Sequence, residues 1–166
     1  MSEEITFEYN EKTWPKGLID ITDRLVIREF SEEESDLCRD IYIKLNCMAD
    51  KDPLELSPEE FLDYHRAYIR YQYGFYGYGN WGIFLRAPGC RSIDECVARS
   101  ATMIGVVGLV NGSASQVGEL SYALEACKAA LEYGRECGFE RFEARIAPDN
   151  LPSLNLAKKL GLHIFC

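Results

Sequence analysis

The sequence predicts an α+β fold, a mostly antiparallel central sheet flanked by helices. Three observations carry this. Strand-like alternation and helix-like periodicity succeed one another irregularly rather than in a strict strand-helix repeat. Two helix start signals, at Ser31 and Ser57, precede the second clear strand pattern. The turn-rich "NGSASQ" (111–116) sends the chain back antiparallel from Val117 onward.

Residues 1–20 read as an N-terminal arm, and residues 21–166 as one domain. "IDITDRLVIREF" (19–30) alternates apolar and polar residues as one strand does. Ser31 with Glu34 three residues on is a capping box, opening a helix with apolar positions Leu37, Ile41 and Leu45. "SPEE" (57–60) repeats that signal with Pro58 in the first turn, and the helix carries Phe61, Tyr64, Tyr68 and Tyr71. Gly74, Gly77 and Gly79 are expected to end it. "NWGIFLRA" (80–87) and "MIGVVGLV" (103–110) read as strands joined by a long exposed excursion. "FERFEARIA" (139–147) alternates as a strand, "LPSLNLAKKLG" (151–161) is a helix between Pro152 and Gly161, and "LHIFC" (162–166) starts another strand.

"GELSYALEACKAALEYG" (118–134) is the stretch that does not parse simply. Gly118 to Leu124 reads as a strand and Ala126 to Cys137 as a helix ended by Gly138, with no loop between them. Three readings are open. A segment of the molecule is missing from the sequence, the loop is truly deleted, or the helix starts earlier with Ser121 as N-cap. The first is favoured, because everything around the junction agrees with a single fold.

A chain of 166 residues buries about 70% of its unfolded surface in one core. A net charge of −9 excludes a general nucleic-acid binder, which needs clustered Lys and Arg, and permits a cationic or amine substrate. The seven cysteines (38, 47, 90, 96, 127, 137 and 166) form no CxxC pair. With His65 and His163 the only histidines, no zinc spacing appears and no metal is expected. Reduced, unbridged thiols of a cytoplasmic protein are the expectation. The start "MSEEITFEYNEKTW" lacks the regions of a secretory signal, and no apolar run nears the roughly 20 residues of a membrane span.

"TDRLVIREF" (22–30), "YGYGNWGIF" (76–84) with "MIGVVGLV", and "APDNLPSLNLAKKLGL" (147–162) resemble the GNAT superfamily of acyl-CoA N-acyltransferases, in its RimJ/RimL-like branch. The resemblance covers roughly residues 20–166, and the last match is the most specific. It implies a GNAT-like sheet and direct transfer of the acetyl group of acetyl-CoA to a primary amine, a protein N-terminus or a small molecule. It also implies a pyrophosphate-binding loop of the form [QR]-x-x-G-x-[GA] between the fourth strand and the next helix, and that loop has no counterpart between Leu124 and Ala126. The alternative is therefore a GNAT-shaped binding or scaffold protein without catalysis. Monomer and homodimer both remain open.

The resemblance places chemistry on particular residues. Glu119 would act as general base, and reads equally as a solvated strand carboxylate. Backbone N–H groups of Tyr122, Ala123 and Leu124 would hold the pantetheine arm and the oxyanion, unless they pair in an ordinary ladder. Asn150 would bond the pantetheine arm and Ser153 would protonate the departing thiolate, while Asn150 also suits a plain N-cap. Position 157, where other GNAT branches use Tyr, is Ala157, in keeping with the Ser-type branch. Tyr76, Tyr78 and, less strongly, Glu29 would line the acceptor cleft, with Trp81 better placed in the core.

Overall fold

The computed structural model describes residues 14–45, 54–110, 113–118 and 120–163. Five strands form one sheet in the order β1 (Leu18–Ile21), β2 (Leu25–Arg28), β3 (Asn80–Leu85), β4 (Met103–Val110), β5 (Ser113–Gly118). Every pairing between these strands is antiparallel. The strand expected over 19–30 is two strands. Thr22 reverses the chain: its N–H donates to the Leu25 carbonyl at 2.9 Å and its Oγ1 accepts from Leu25 N–H at 3.0 Å. Side-chain alternation continues across that tight turn, so the sequence pattern conceals it.

The first capping box forms as expected, the Glu34 carboxylate accepting from Ser31 N–H at 2.9 Å. After a 3₁₀ turn, helix α1 (Ser35–Leu45) buries Cys38, Ile41 and Tyr42, whereas Leu37 stands at the surface. Helix α2 (Pro58–Tyr68) is capped by Ser57 and Glu60 and buries Phe61 and His65. His65 Nε2 donates to the Ser31 carbonyl at 2.7 Å and the ring stacks on Phe61, a structural role.

The glycines do not stop this helix. It widens into a π-helical segment (Ile69–Tyr76) that runs through Gly74 and ends at Gly77, whose φ of 76° is left-handed. Side-chain anchors outweigh the glycine penalty here. Tyr73 Oη donates to the Asn80 carbonyl, Asn80 N–H donates to Tyr68 Oη at 2.7 Å, and Gln72 Nε2 donates to the Tyr78 carbonyl at 3.0 Å. Tyr71 projects into solvent.

The excursion between β3 and β4 holds helix α3 (Ile93–Ala98), capped by Ser92. That helix brings Cys96 over Cys90, Cα to Cα 5.3 Å, and the two form a buried disulfide. The expectation of reduced thiols throughout is corrected at this pair. The order in sequence is C-x₅-C, a spacing that only the α3 turn makes bondable.

β5 starts at Ser113, inside the expected turn, and ends at Gly118. Helix α4 (Leu120–Glu136) follows, and it runs unbroken through Leu124 and Glu125. The strand expected to reach Leu124 is thus corrected. The early-helix reading fits, with a still earlier start. α4 packs on β1, β2, β4 and β5 through a small-residue stripe of Ala123, Ala126, Cys127, Ala130 and Leu131, all buried. Burying such an apolar stripe, at about 25 cal/mol per Å² removed from water, fixes the helix more firmly than its propensity does.

"FERFEARIA" forms no strand. It is irregular apart from an isolated bridge residue at Glu143, although Phe142, Ala144 and Ile146 keep the alternating half-buried pattern. Among the described strands none lies beside it, because the sheet ends at β5. Helix α5 (Leu151–Lys159) packs on α4, and residues 164–166 of the last expected strand lie outside the described residues. Among the described residues, no helix is long and apolar enough to cross a membrane.

Candidate active site

A cleft of about 210 Å³ opens between α4, α5 and the segment that joins them. Cys127 and Leu131 line it from α4, Asn150, Ser153 and Ala157 from α5, and Ile146 from the segment between. Asn150 is the N-cap of α5, its Oδ1 accepting from Ser153 N–H at 3.3 Å. The N-cap reading of Asn150 is thus observed, and the same residue lines the mostly apolar slot. Pro152 stands in the first turn of α5, and Leu151 beside it is exposed. Burial pushes the Cys127 thiol up to about 12, so it stays protonated in the slot.

Tyr122, Ala123 and Leu124 sit in the first turns of α4, not on a strand. In a helix that starts at Leu120, the N–H of Leu124 belongs to the helical ladder, while that of Tyr122 is among the first-turn donors left over. Arg24 closes over this helix start. Its Nε donates to Glu125 Oε2 at 2.9 Å, its NH2 lies 2.8 Å from the same oxygen, and its guanidinium covers the Tyr122 ring at 4.4 Å. Glu119 lies outside the described residues.

The acceptor candidates gather elsewhere on the domain. Tyr76 and Tyr78 face each other with ring centroids 6.0 Å apart, and Tyr78 meets Phe139 edge-on at 5.1 Å. Glu29 follows β2, half-buried beside Gly17, where burial raises its carboxyl against the opposing pull of Lys16. Its charge also acts on the phenols of Tyr73 and Tyr133. Trp81 is wholly buried, as its position at the start of a strand suggested.

Two features escaped the sequence reading. Tyr133 on α4 donates its hydroxyl to the Gly77 carbonyl at 3.0 Å, between the two acceptor tyrosines. The Arg24–Glu125 pair joins residues 101 apart in sequence. Neither leaves a local pattern. Cys127 was visible as part of the Leu124–Cys127–Leu131 face, but nothing in the sequence marked it as lining a slot.

The chain matches the acetyltransferase (GNAT) domain over residues 24–163, most of its length. The chain belongs to the GNAT acetyltransferase family. A Bordetella pertussis protein assigned to the GnaT-family acetyltransferases has the same fold at 22% identity and a TM-score of 0.63, covering 89% of each chain. An acetyl transferase of Salmonella typhimurium that modifies the N-terminal serine of ribosomal protein L7/L12 matches at 19% identity and a TM-score of 0.55, covering 86% of this chain and 82% of its own. The aminoglycoside N-acetyltransferase AAC(6')-Iy, in complex with CoA, matches at 12% and 0.54, over 89% and 93%. A search of curated protein sequences finds no match. At these identities the likeness is one of fold. In this GNAT domain Asn150 and Ser153 line the slot, and β5 ends at Gly118 while α4 begins at Leu120.

Proposed function

We propose that this GNAT domain transfers an acetyl group from acetyl-CoA to a primary amine, a protein N-terminus or a small amine, by direct transfer. The observation that supports this best is that Asn150 and Ser153, bonded to each other, both line the slot between α4 and α5. Acetyl-CoA, when bound, supplies an activated thioester. The residues present fit its pantetheine arm: the slot is mostly apolar, with the Asn150 amide, the Ser153 hydroxyl and Arg145 among its lining groups. Ser153 Oγ gives a proton to the departing sulfur, and Glu119 takes the proton of the incoming ammonium. Cys127, held protonated by burial, is a poor nucleophile, which favours direct transfer over an acyl-cysteine. Tyr76, Tyr78 and Glu29 present the amine, the carboxylate matching its charge. A cytoplasmic location goes with this reading, since acetyl-CoA is its substrate, although the Cys90–Cys96 disulfide is not what a reducing compartment favours.

The diphosphate of the cofactor is less well served. Between Gly118 and Leu120 there is room for a single residue, so no loop of N–H donors precedes α4. This favours the second reading, a GNAT-shaped binding protein without turnover. Losing three charge-assisted hydrogen bonds, at about 1.5–3 kcal/mol each, weakens binding by more than a thousandfold.

Calorimetry with acetyl-CoA and with acetyl-pantetheine, followed by a thiol-release assay, separates the two. Catalysis by the slot predicts that the two thioesters bind within about threefold of each other and that both support release. Ser153→Ala is then expected to lower kcat by roughly 10²-fold while leaving thioester binding unchanged. Absence of turnover with both thioesters establishes the binding-protein reading instead.

A further inference from the structure

The segment 141–147 has the form of a strand without the pairing of one. Phe142, Ala144 and Ile146 are half-buried, and Arg141, Glu143, Arg145 and Ala147 are exposed, the period of two that an extended chain imposes. Among the described residues it joins no ladder: its one pairing is the isolated bridge at Glu143, and the sheet ends at β5. Successive extended residues aim their N–H and C=O groups at opposite edges, so one bridge engages one edge and leaves the other. Open space lies alongside, the slot along 144–147 and a cavity of about 450 Å³ along 141–146. An extended edge of this kind is a template for a further strand.

The exposed side chains say which strand. Arg141 and Glu143 meet at 3.3 Å, and Arg145 is the next exposed residue after Glu143, so the row reads plus, minus, plus. When this row is laid antiparallel on its own copy, opposed residues share a face, and a one-residue slip sets exposed side chains against half-buried ones. A twofold axis at Glu143 opposes Glu143 with Glu143 and Arg141 with Arg145, like charge on like. An axis at Phe142 draws in Phe139, whose N–H is held by the Gly134 carbonyl at 3.0 Å. An axis at Ala144 uses the whole segment. It opposes Glu143 with Arg145, Phe142 with Ile146 and Ala144 with itself, so the charged and the apolar faces both match.

We infer that segment 141–147 is a dimerisation edge, pairing antiparallel with the same segment of a second copy of this chain about a twofold axis at Ala144. The inference is independent of the acetyl-transfer reading. So short a ladder buries less than the roughly 800 Å² per partner of a standard interface, and the dimer is therefore weak, half-formed on the order of 10–100 μM.

Sedimentation velocity of the full chain across the micromolar range tests this, with amide exchange measured at both ends of the range. The expected result is a reversible monomer–dimer equilibrium, with slower exchange at 141–147 in the dimer. Glu143→Arg and Arg145→Glu each set like charges across the axis, and each is expected to raise the dimer Kd roughly tenfold or more. Mixed together, the two variants oppose unlike charges again and are expected to form a heterodimer as tight as the unmodified dimer. That rescue also shows that both variants fold. A chain that stays monomeric at the highest concentration overturns the inference, and so does a dimer whose 141–147 amides exchange as in the monomer. Slow exchange at 141–147 in a monomer shows that another stretch of the same chain covers the edge, and overturns it too. Single variants that dimerise as tightly as the unmodified chain put the contact elsewhere and have the same result.

Discussion

Among single residues, Asp20 shows a carboxylate held where it is costly. It ends up half-buried in β1 facing α4, and burial first, then the charges of Glu132 and Glu136, raise its pKa to about 6 despite the 2.8 Å bond from Ile21 N–H. A carboxyl whose folded pKa lies above its unfolded value of about 3.9 binds more protons when folded. Its ionisation therefore lowers stability as pH rises from about 4 to 6, and the loss persists above that. Asp20→Asn keeps the Ile21 bond and removes the charge. It is expected to stabilise the protein at pH 7–8 by about 1 kcal/mol, after allowing for solvent screening of a partly exposed group, and to add nothing below pH 4. Denaturant melts at the two pH values check this, and an equal gain at both would show that charge is not the cause. Glu34 works the other way. Burial would raise it, but Arg28, donating at 3.0 Å, and the Ser31 N–H outweigh that and lower it, so its contribution is present at neutral pH and lost as pH falls through that range.

At the scale of elements, the β3–β4 ladder has one position that tolerates no side chain. Gly108 pairs with Asn80, and a Cβ there would lie 2.6 Å from the Gly79 carbonyl oxygen and 2.7 Å from Asn80 Cα. Those are backbone atoms of the strand that carries the acceptor turn, so they cannot yield as a flexible side chain does. Gly108→Ala is expected to cost about 2–3 kcal/mol by thermal melt, with amide exchange quickening around residues 78–81. A loss under about 0.5 kcal/mol would mean that the strand shifts freely. The same comparison explains what could be read in advance. Both capping boxes were legible because a cap is a local affair of three or four residues. The β1–β2 turn was hidden because its reversal rests on one Thr side chain, with neither Gly nor Pro to mark it. The π-helical segment was hidden because its anchors, Tyr68, Gln72 and Tyr73, meet partners that only the folded chain brings near. In the site, Asn150 and Ser153 were legible as neighbours on one helix turn, whereas Tyr133 and Gly77, 56 residues apart, were not.

At the scale of the whole molecule, the sheet's spatial order repeats the order of the chain, β1 to β5, without a crossover among the described strands. The longest segment joining two of these strands lies between β2 and β3. Arg28 and Asn80 are separated by about fifty residues that hold α1, α2 and the π-helical segment, and closing such a span carries most of the chain entropy lost in pairing. This sets a sequence of events in time. The β1–β2 hairpin and the β3–β4–β5 meander are each able to zip quickly, and the slow step is their union along the β2–β3 ladder. Ile83, paired with Ile27 on that ladder and buried, should then act mainly on the rate of folding. Ala157, in the last helix, should act on the rate of unfolding. Stopped-flow chevrons of Ile83→Val and Ala157→Gly are expected to lose stability on opposite arms, and exchanged arms would place the barrier elsewhere. A chain built this way commits to its fold at the seam between a hairpin and a three-stranded meander, well before the thioester slot between α4 and α5 exists.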